Sequence, residues 1–198
     1  MSNIDKSIKV YNIVNGLKGI KRQGWVNRQI PGRLESVAEH CFAMTNLAIL
    51  INLEHNLNLD MAKVLTMINI HEYGETIAGD ITPKDGISKE EKYNKEMKAI
   101  LEVMGDHPGK TTILELWKEF EAKSTPETIF VSLLDKFKSV LQAKEYSKKF
   151  NRIDIYNEFV DYYQKILEDM NKNGLSESAR FTTFINVDAI VSLNEQNG

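Results

Sequence analysis

Apolar residues recur at helical spacing along almost the whole chain, and no segment alternates with the period of two that a half-buried strand requires. That pattern predicts an all-α fold. Ile8, Tyr11, Ile13, Val14 and Leu17 mark a first helix, closed by Gly16 and Gly19. A second opens on the capping box Ser36-Val37-Ala38-Glu39, in which serine and glutamate satisfy orphan N–H groups reciprocally, and continues through Phe42, Met44, Leu47, Ala48 and Ile51. A third is expected from the N-cap Asp60 through Ile68, Ile70, Tyr73 and Ile77 to a stop at Gly79. After the polar loop Asp80–Gly86, a second capping box at Ser88-Lys89-Glu90-Glu91 starts a helix that ends before Gly105. A short helix from about residue 112 to 122 follows. Thr125-Pro126, a cap with proline at the first helical position, begins a long apolar helix through Val140 and Ala143, and a last one runs from about Ile153 to Met170.

With 198 residues, 42% of them hydrophobic, the chain can bury a real core, and it shows no linker, repeat or low-complexity tract. One helical bundle over residues 1–198 is expected, with a less ordered tail after about residue 171. A net charge of −3 gives no global reason to expect a nucleic acid polymer or a membrane as partner. The longest apolar run, Leu47–Ile51, is far short of the ~20 residues that span a bilayer. Cys41 is the only cysteine, so an internal disulfide is excluded and a reducing, cytoplasmic setting is the default expectation.

Chemistry concentrates in a few places. No acidic residue lies between Asp5 and Glu35, while Arg22, Arg28 and Arg33 crowd around glycines and Trp25, as suits a loop that grips an anion. Of four histidines, His40 and His71 sit inside apolar helices, each beside a carboxylate (Glu39 and Glu72), whereas His55 and His107 fall at a helix end and in a turn. His71 and Glu75 are spaced i, i+4 and so share one helix face, with Glu72 next door able to bend toward an ion off the axis. Asp80 follows, and Asp135 lies within the otherwise apolar 131–140 helix. Each alone has a structural explanation: a satisfied core histidine, a salt-bridged aspartate, a tryptophan anchoring the core. Together, two imidazoles and one or two carboxylates suit a borderline divalent cation such as Mn²⁺, Co²⁺ or Zn²⁺, with Mg²⁺ a further candidate. Such a site serves phosphoryl chemistry, and spare carboxylates at Glu75 and Asp80 could handle the protons.

The order His40, His71-Glu72, Asp135 resembles the H…HD…D signature of the HD superfamily. Longer words, among them Lys21-Arg22-Gln23-Gly24-Trp25, Glu35-Ser36-Val37-Ala38-Glu39-His40, Gly74–Ile81 and Leu141–Tyr146, are similar to those of the HD-domain 5′-deoxyribonucleotidases, in order over residues 17 to 146. The resemblance implies a phosphohydrolase acting on nucleoside 5′-monophosphates, with one divalent cation held by His40, His71, Glu72 and Asp135. It further implies Glu75 acting on the attacking water and Asp80 on the leaving group or sugar. Arg22 would orient the phosphate, Trp25 would pack on the sugar, and Asp80 to Pro83, Thr82 included, would line the nucleotide pocket. A homodimer is also implied. The chain departs from the family at Glu72, where the shorter aspartate is usual, so an altered metal geometry is expected, and in a longer interval between Trp25 and His40 that carries Pro31-Gly32. Other readings compatible with the same residues are a catalytically impaired nucleotide-binding module, an HD hydrolase of triphosphates or cyclic nucleotides, and a purely structural helical protein.

Overall fold

The helix around which the rest is arranged is buried on nearly every side between residues 128 and 140, polar side chains included, which marks a central rather than a surface position. It is α8 (Pro126–Phe150), capped by Thr125 with proline at its start, and Phe130, Val131, Leu133, Leu134 and Val140 along it are fully buried. The structure is a computed structural model that describes residues 2–172 and residue 181. Before α8 in the chain come α1 (Asn3–Val14), α2 (Gln23–Asn27), α3 (Val37–His55), α4 (Met61–Ile70), α5 (Glu75–Ala78), α6 (Lys89–Met104) and α7 (Lys110–Ala122). After it comes α9 (Ile153–Lys172). Short 3₁₀ turns occupy Asn15–Lys18 and Pro83–Asp85. No strand occurs among the described residues; a single bridge joins Lys21 to Ser36. Helices α3, α4, α7 and α9 all pack on α8, and their shared core includes Met44, Ala48, Val64, Met67 and Tyr163. No helix among the described residues is long and apolar enough to cross a membrane.

The tail expected beyond about residue 171 falls outside the described residues, apart from the end of α9 and Phe181. That phenylalanine is buried, its ring 5.2 Å from the ring of Phe130.

Two expectations are corrected. The third helix does not run to Gly79: α4 stops at Ile70, and His71–Gly74 form a tight turn before α5. The bonds there are of the i→i+3 kind, Tyr73 N–H to Ile70 O at 3.0 Å and Glu75 N–H to Glu72 O at 3.0 Å. Gly74 accounts for the packing, since a Cβ on it would stand 3.1 Å from the backbone oxygen of Glu96 on α6, which presses against the turn. The segment around residues 23–27, read as a loop, is a short helix. Elsewhere the caps match the reading. Ser36 and Glu39 form both halves of a capping box, with Glu39 N–H donating to Ser36 Oγ and Ser36 N–H to Glu39 Oε2. At Ser88 only the serine half is made, because Glu91 pairs instead with Lys95.

Candidate metal centre and active site

Three elements deliver the polar residues that the core would otherwise exclude. The capping box fixes the start of α3, and one turn later His40 points inward, fully buried. The turn after α4 carries His71 and Glu72, both under a tenth exposed, and α5 begins with the buried Glu75. Helix α8 supplies Asp135. One donor atom from each of His40, His71 and Glu72 lies within 4.8 Å of the others. Bonds of about 2.0–2.2 Å from an ion to nitrogen and oxygen place its ligands no more than ~4.4 Å apart, so a small inward shift of these side chains lets them share one cation.

The hydrogen-bond pattern favours that use. His71 Nδ1 lies 2.8 Å from the Ile68 carbonyl, and since a carbonyl can only accept, Nδ1 carries a proton, which in the neutral ring leaves the lone pair on Nε2. Nε2 of both histidines, Asp135 Oδ1 and Glu75 Oε2 are buried without a hydrogen-bond partner. His40 Nε2 stands 3.0 Å from Asp135 Oδ1, close but outside hydrogen-bonding geometry. Burial and the neighbouring Arg22 charge push the His40 imidazole down, toward the neutral form that a metal needs. For His71, burial acts the same way, but the adjacent Glu72 carboxylate outweighs it and raises the imidazole. Burial would raise Glu72 too, yet His71 and Arg22 hold it well below the usual carboxylate range. Glu75 goes the other way: burial, then the charges of Glu72 and Asp80, push it far up, so within this pair the proton resides on Glu75. Asp135 is held well below its ordinary value, burial being overcome by Lys136, His40 and Arg22.

Arg22, at the N-terminus of α2, enters this acidic centre. Its Nη1 donates to Glu72 Oε1 at 2.9 Å and lies 3.9 Å from Glu75 and 3.8 Å from Asp80, while Nη2 is 3.8 Å from Asp135. Burial alone would loosen its proton, but these carboxylates together bind it more tightly than usual. Four acidic side chains, with a proton held on Glu75, surround one guanidinium, and the Nε2 atoms of two imidazoles, without hydrogen-bond partners, sit beside them. The donor set therefore fits a divalent cation.

The structure brings His40, His71, Glu72, Glu75, Asp80, Asp135 and Arg22 together, and it places Trp25 and Thr82 differently. Trp25 is 2% exposed, stacked on Phe159 at 4.7 Å and set edge-on to Tyr146 at 5.2 Å. Its indole N–H donates to Glu35 Oε2 at 3.1 Å, Glu35 is ion-paired with Lys138, and Glu35 N–H donates to the Tyr146 hydroxyl. Thr82 is engaged within its loop, its hydroxyl donating to Asp85 and accepting from Asn27. Asp80 spends one oxygen on Gln23 N–H at 2.6 Å, which pins α2 and with it Arg22. Sequence reasoning did not single out Glu35, Lys138 or Tyr146, the supports of the Trp25 loop.

Comparison with known proteins shows the family and the fold. The model of the HD domain family matches residues 14–174. Among curated relatives, 5′-deoxynucleotidase HDDC2 of Xenopus laevis is 35% identical over 196 residues, covering 90% of this chain and 94% of its own. The Dictyostelium discoideum protein of the same name is 35% identical over 156 residues, 74% of this chain and 80% of its own. Of solved structures, the PH0347 protein of Pyrococcus horikoshii superposes with a TM-score of 0.70 at 23% identity, covering 91% of this chain and 96% of that one, a likeness of fold.

Proposed function

Since the chain belongs to the HD domain family, and within it to the 5′-deoxynucleotidases, we propose that it is a metal-dependent phosphomonoesterase removing the 5′-phosphate of nucleoside 5′-monophosphates, 2′-deoxyribonucleotides in particular. The observation that carries this reading is the convergence of His40 from α3 with His71 and Glu72 from the turn after α4, both imidazole Nε2 atoms being buried without a hydrogen-bond partner. His40, His71, Glu72 and Asp135 are the ligands, and the mixed nitrogen and oxygen set points to Mn²⁺, Co²⁺ or Zn²⁺ before Mg²⁺. A divalent cation bound there supplies Lewis acidity to the phosphoryl group and its attacking water. Arg22 grips a phosphate with two parallel N–H donors once it turns from Glu72 to the substrate. Glu75, with a free oxygen, exchanges the proton of the attacking water, and Asp80 serves the leaving group while anchoring α2. Trp25 acts on sugar selection through the loop it anchors, and Thr82 lines the nucleotide pocket, held there through Asn27 and Asp85.

The test is direct. The folded chain, stripped with a chelator and resupplied with Mn²⁺, Co²⁺, Zn²⁺ or Mg²⁺, should release phosphate from a panel of deoxyribonucleoside 5′-monophosphates, and more slowly from their ribonucleoside counterparts. No release with any of the metals contradicts the proposal.

The chain works as a homodimer in this reading. Phe42, Ile49, Leu50 and Leu53 form one stripe on the outer side of α3 and are exposed, Phe42 and Leu53 by 72% and 76%. An isologous pairing of two such stripes would remove them from water. Light scattering should give twice the chain mass for the wild type and the single mass for Leu53→Glu; a monomeric wild type refutes the dimer.

A further inference from the structure

We propose that Lys136 is a positioning residue for the cation site: it fixes one oxygen of Asp135 so that the other faces the histidines. The inference rests on the metal-site reading above and goes one step further out from the ion.

The two oxygens of Asp135 are in different situations. Oδ2 accepts from Lys136 Nζ at 2.7 Å. Oδ1 has no hydrogen bond and stands 3.0 Å from His40 Nε2 and 3.8 Å from Arg22 Nη2. Successive side chains on a helix diverge by about 100°, so a contact between neighbours is not imposed by the backbone. The lysine stem has to fold back to make it. The pair is also unlike a solvated one. The Asp135 side chain is 10% exposed and that of Lys136 35%, whereas Lys95 and Glu91 on α6 are both about half exposed.

The consequence concerns rotation of the carboxylate. Asp135 has a competing cation in Arg22, and a free carboxylate could turn both oxygens toward the guanidinium. With Oδ2 tied to Lys136, only Oδ1 is offered to the centre, in line with His40. A ligating carboxylate held in this way by an outer hydrogen bond binds metal more tightly, and loss of such partners typically costs about 10- to 100-fold in affinity.

The experiment compares the full-length wild type with Lys136→Met, which keeps the stem, and Lys136→Arg, which keeps the charge and donor. Co²⁺ affinity is measured by competition with a chelating indicator, alongside the visible Co²⁺ spectrum, thermal unfolding, and KM and kcat for a deoxyribonucleoside monophosphate. Lys136→Met should unfold like the wild type, bind Co²⁺ about 10- to 100-fold more weakly with an altered spectrum, and lose kcat at a nearly constant KM. Lys136→Arg should restore affinity and spectrum. Unchanged Co²⁺ affinity and spectrum in Lys136→Met overturn the inference, and a raised KM in that case identifies the ammonium as a direct phosphate contact. Co²⁺ bound by the wild type but not by His40→Ala leaves the metal site standing whatever Lys136 does. A wild type that binds no Co²⁺ ends both.

Discussion

His71→Ala should leave a helical, folded protein that retains no divalent cation and hydrolyses nucleoside monophosphates at least about 10³-fold more slowly, since a bound metal contributes several kcal/mol of transition-state charge stabilisation and ~4 kcal/mol corresponds to that factor. His71 carries the clearest assignment at the site. Its Nδ1–H is committed to the Ile68 carbonyl, so in the neutral ring the remaining nitrogen is the one that can ligate, and that nitrogen is buried without a hydrogen-bond partner. Metal content and phosphate release measured on the same sample, with circular dichroism to establish folding, check the prediction. Full metal occupancy in the folded variant would remove His71 from the ligand set.

Glu75→Gln should lower kcat by about 10²- to 10⁴-fold, the usual contribution of a positioned acid–base group, with metal binding preserved. Glutamine keeps the size of the side chain and its capacity to hydrogen-bond Glu72, but it cannot pass a proton. The two neighbouring acids have diverged in environment: Glu72 lies against His71 and Arg22, while Glu75 is buried with one free oxygen and borders Glu72 and Asp80. That divergence supports the proposed division into a ligand role for Glu72 and a proton-transfer role for Glu75. Steady-state kinetics with a metal assay decide the matter. A variant that loses its metal makes Glu75 a ligand instead, and one with unaltered kcat removes it from catalysis.

The helices were legible because their caps are local chemistry. Ser36 with Glu39, Asp60, and Thr125 with Pro126 each satisfy specific backbone groups, and the structure uses all of them as caps. The break at residues 71–74 was not legible, since residues 60–78 keep a helical period and the cause lies in a close approach of Gly74 to Glu96 on another helix. Periodicity also does not say which face is covered. Ile8 and Tyr11 gave α1 its pattern, yet they are half or more exposed. The convergence of His40, His71, Glu72 and Asp135 could be read because imidazoles and acids among apolar residues need a reason to be there. The situation of Trp25 could not, because packing on a sugar and packing on Phe159 demand the same aromatic side chain. Lys136 escaped notice for a similar reason: as the immediate neighbour of Asp135 it should diverge from it, and only the folded-back stem reveals the contact.

The whole account turns on a cation held jointly by α3, the turn after α4, and α8. Anomalous diffraction at the absorption edge of manganese or cobalt, from crystals of the wild type grown with that metal, tests this most directly. One strong peak bonded to His40 Nε2, His71 Nε2, Glu72 and Asp135, with the Arg22 guanidinium displaced from Glu72, is the predicted result. An absent peak, with Arg22 still lodged among the carboxylates, or a peak remote from both histidines, would contradict it.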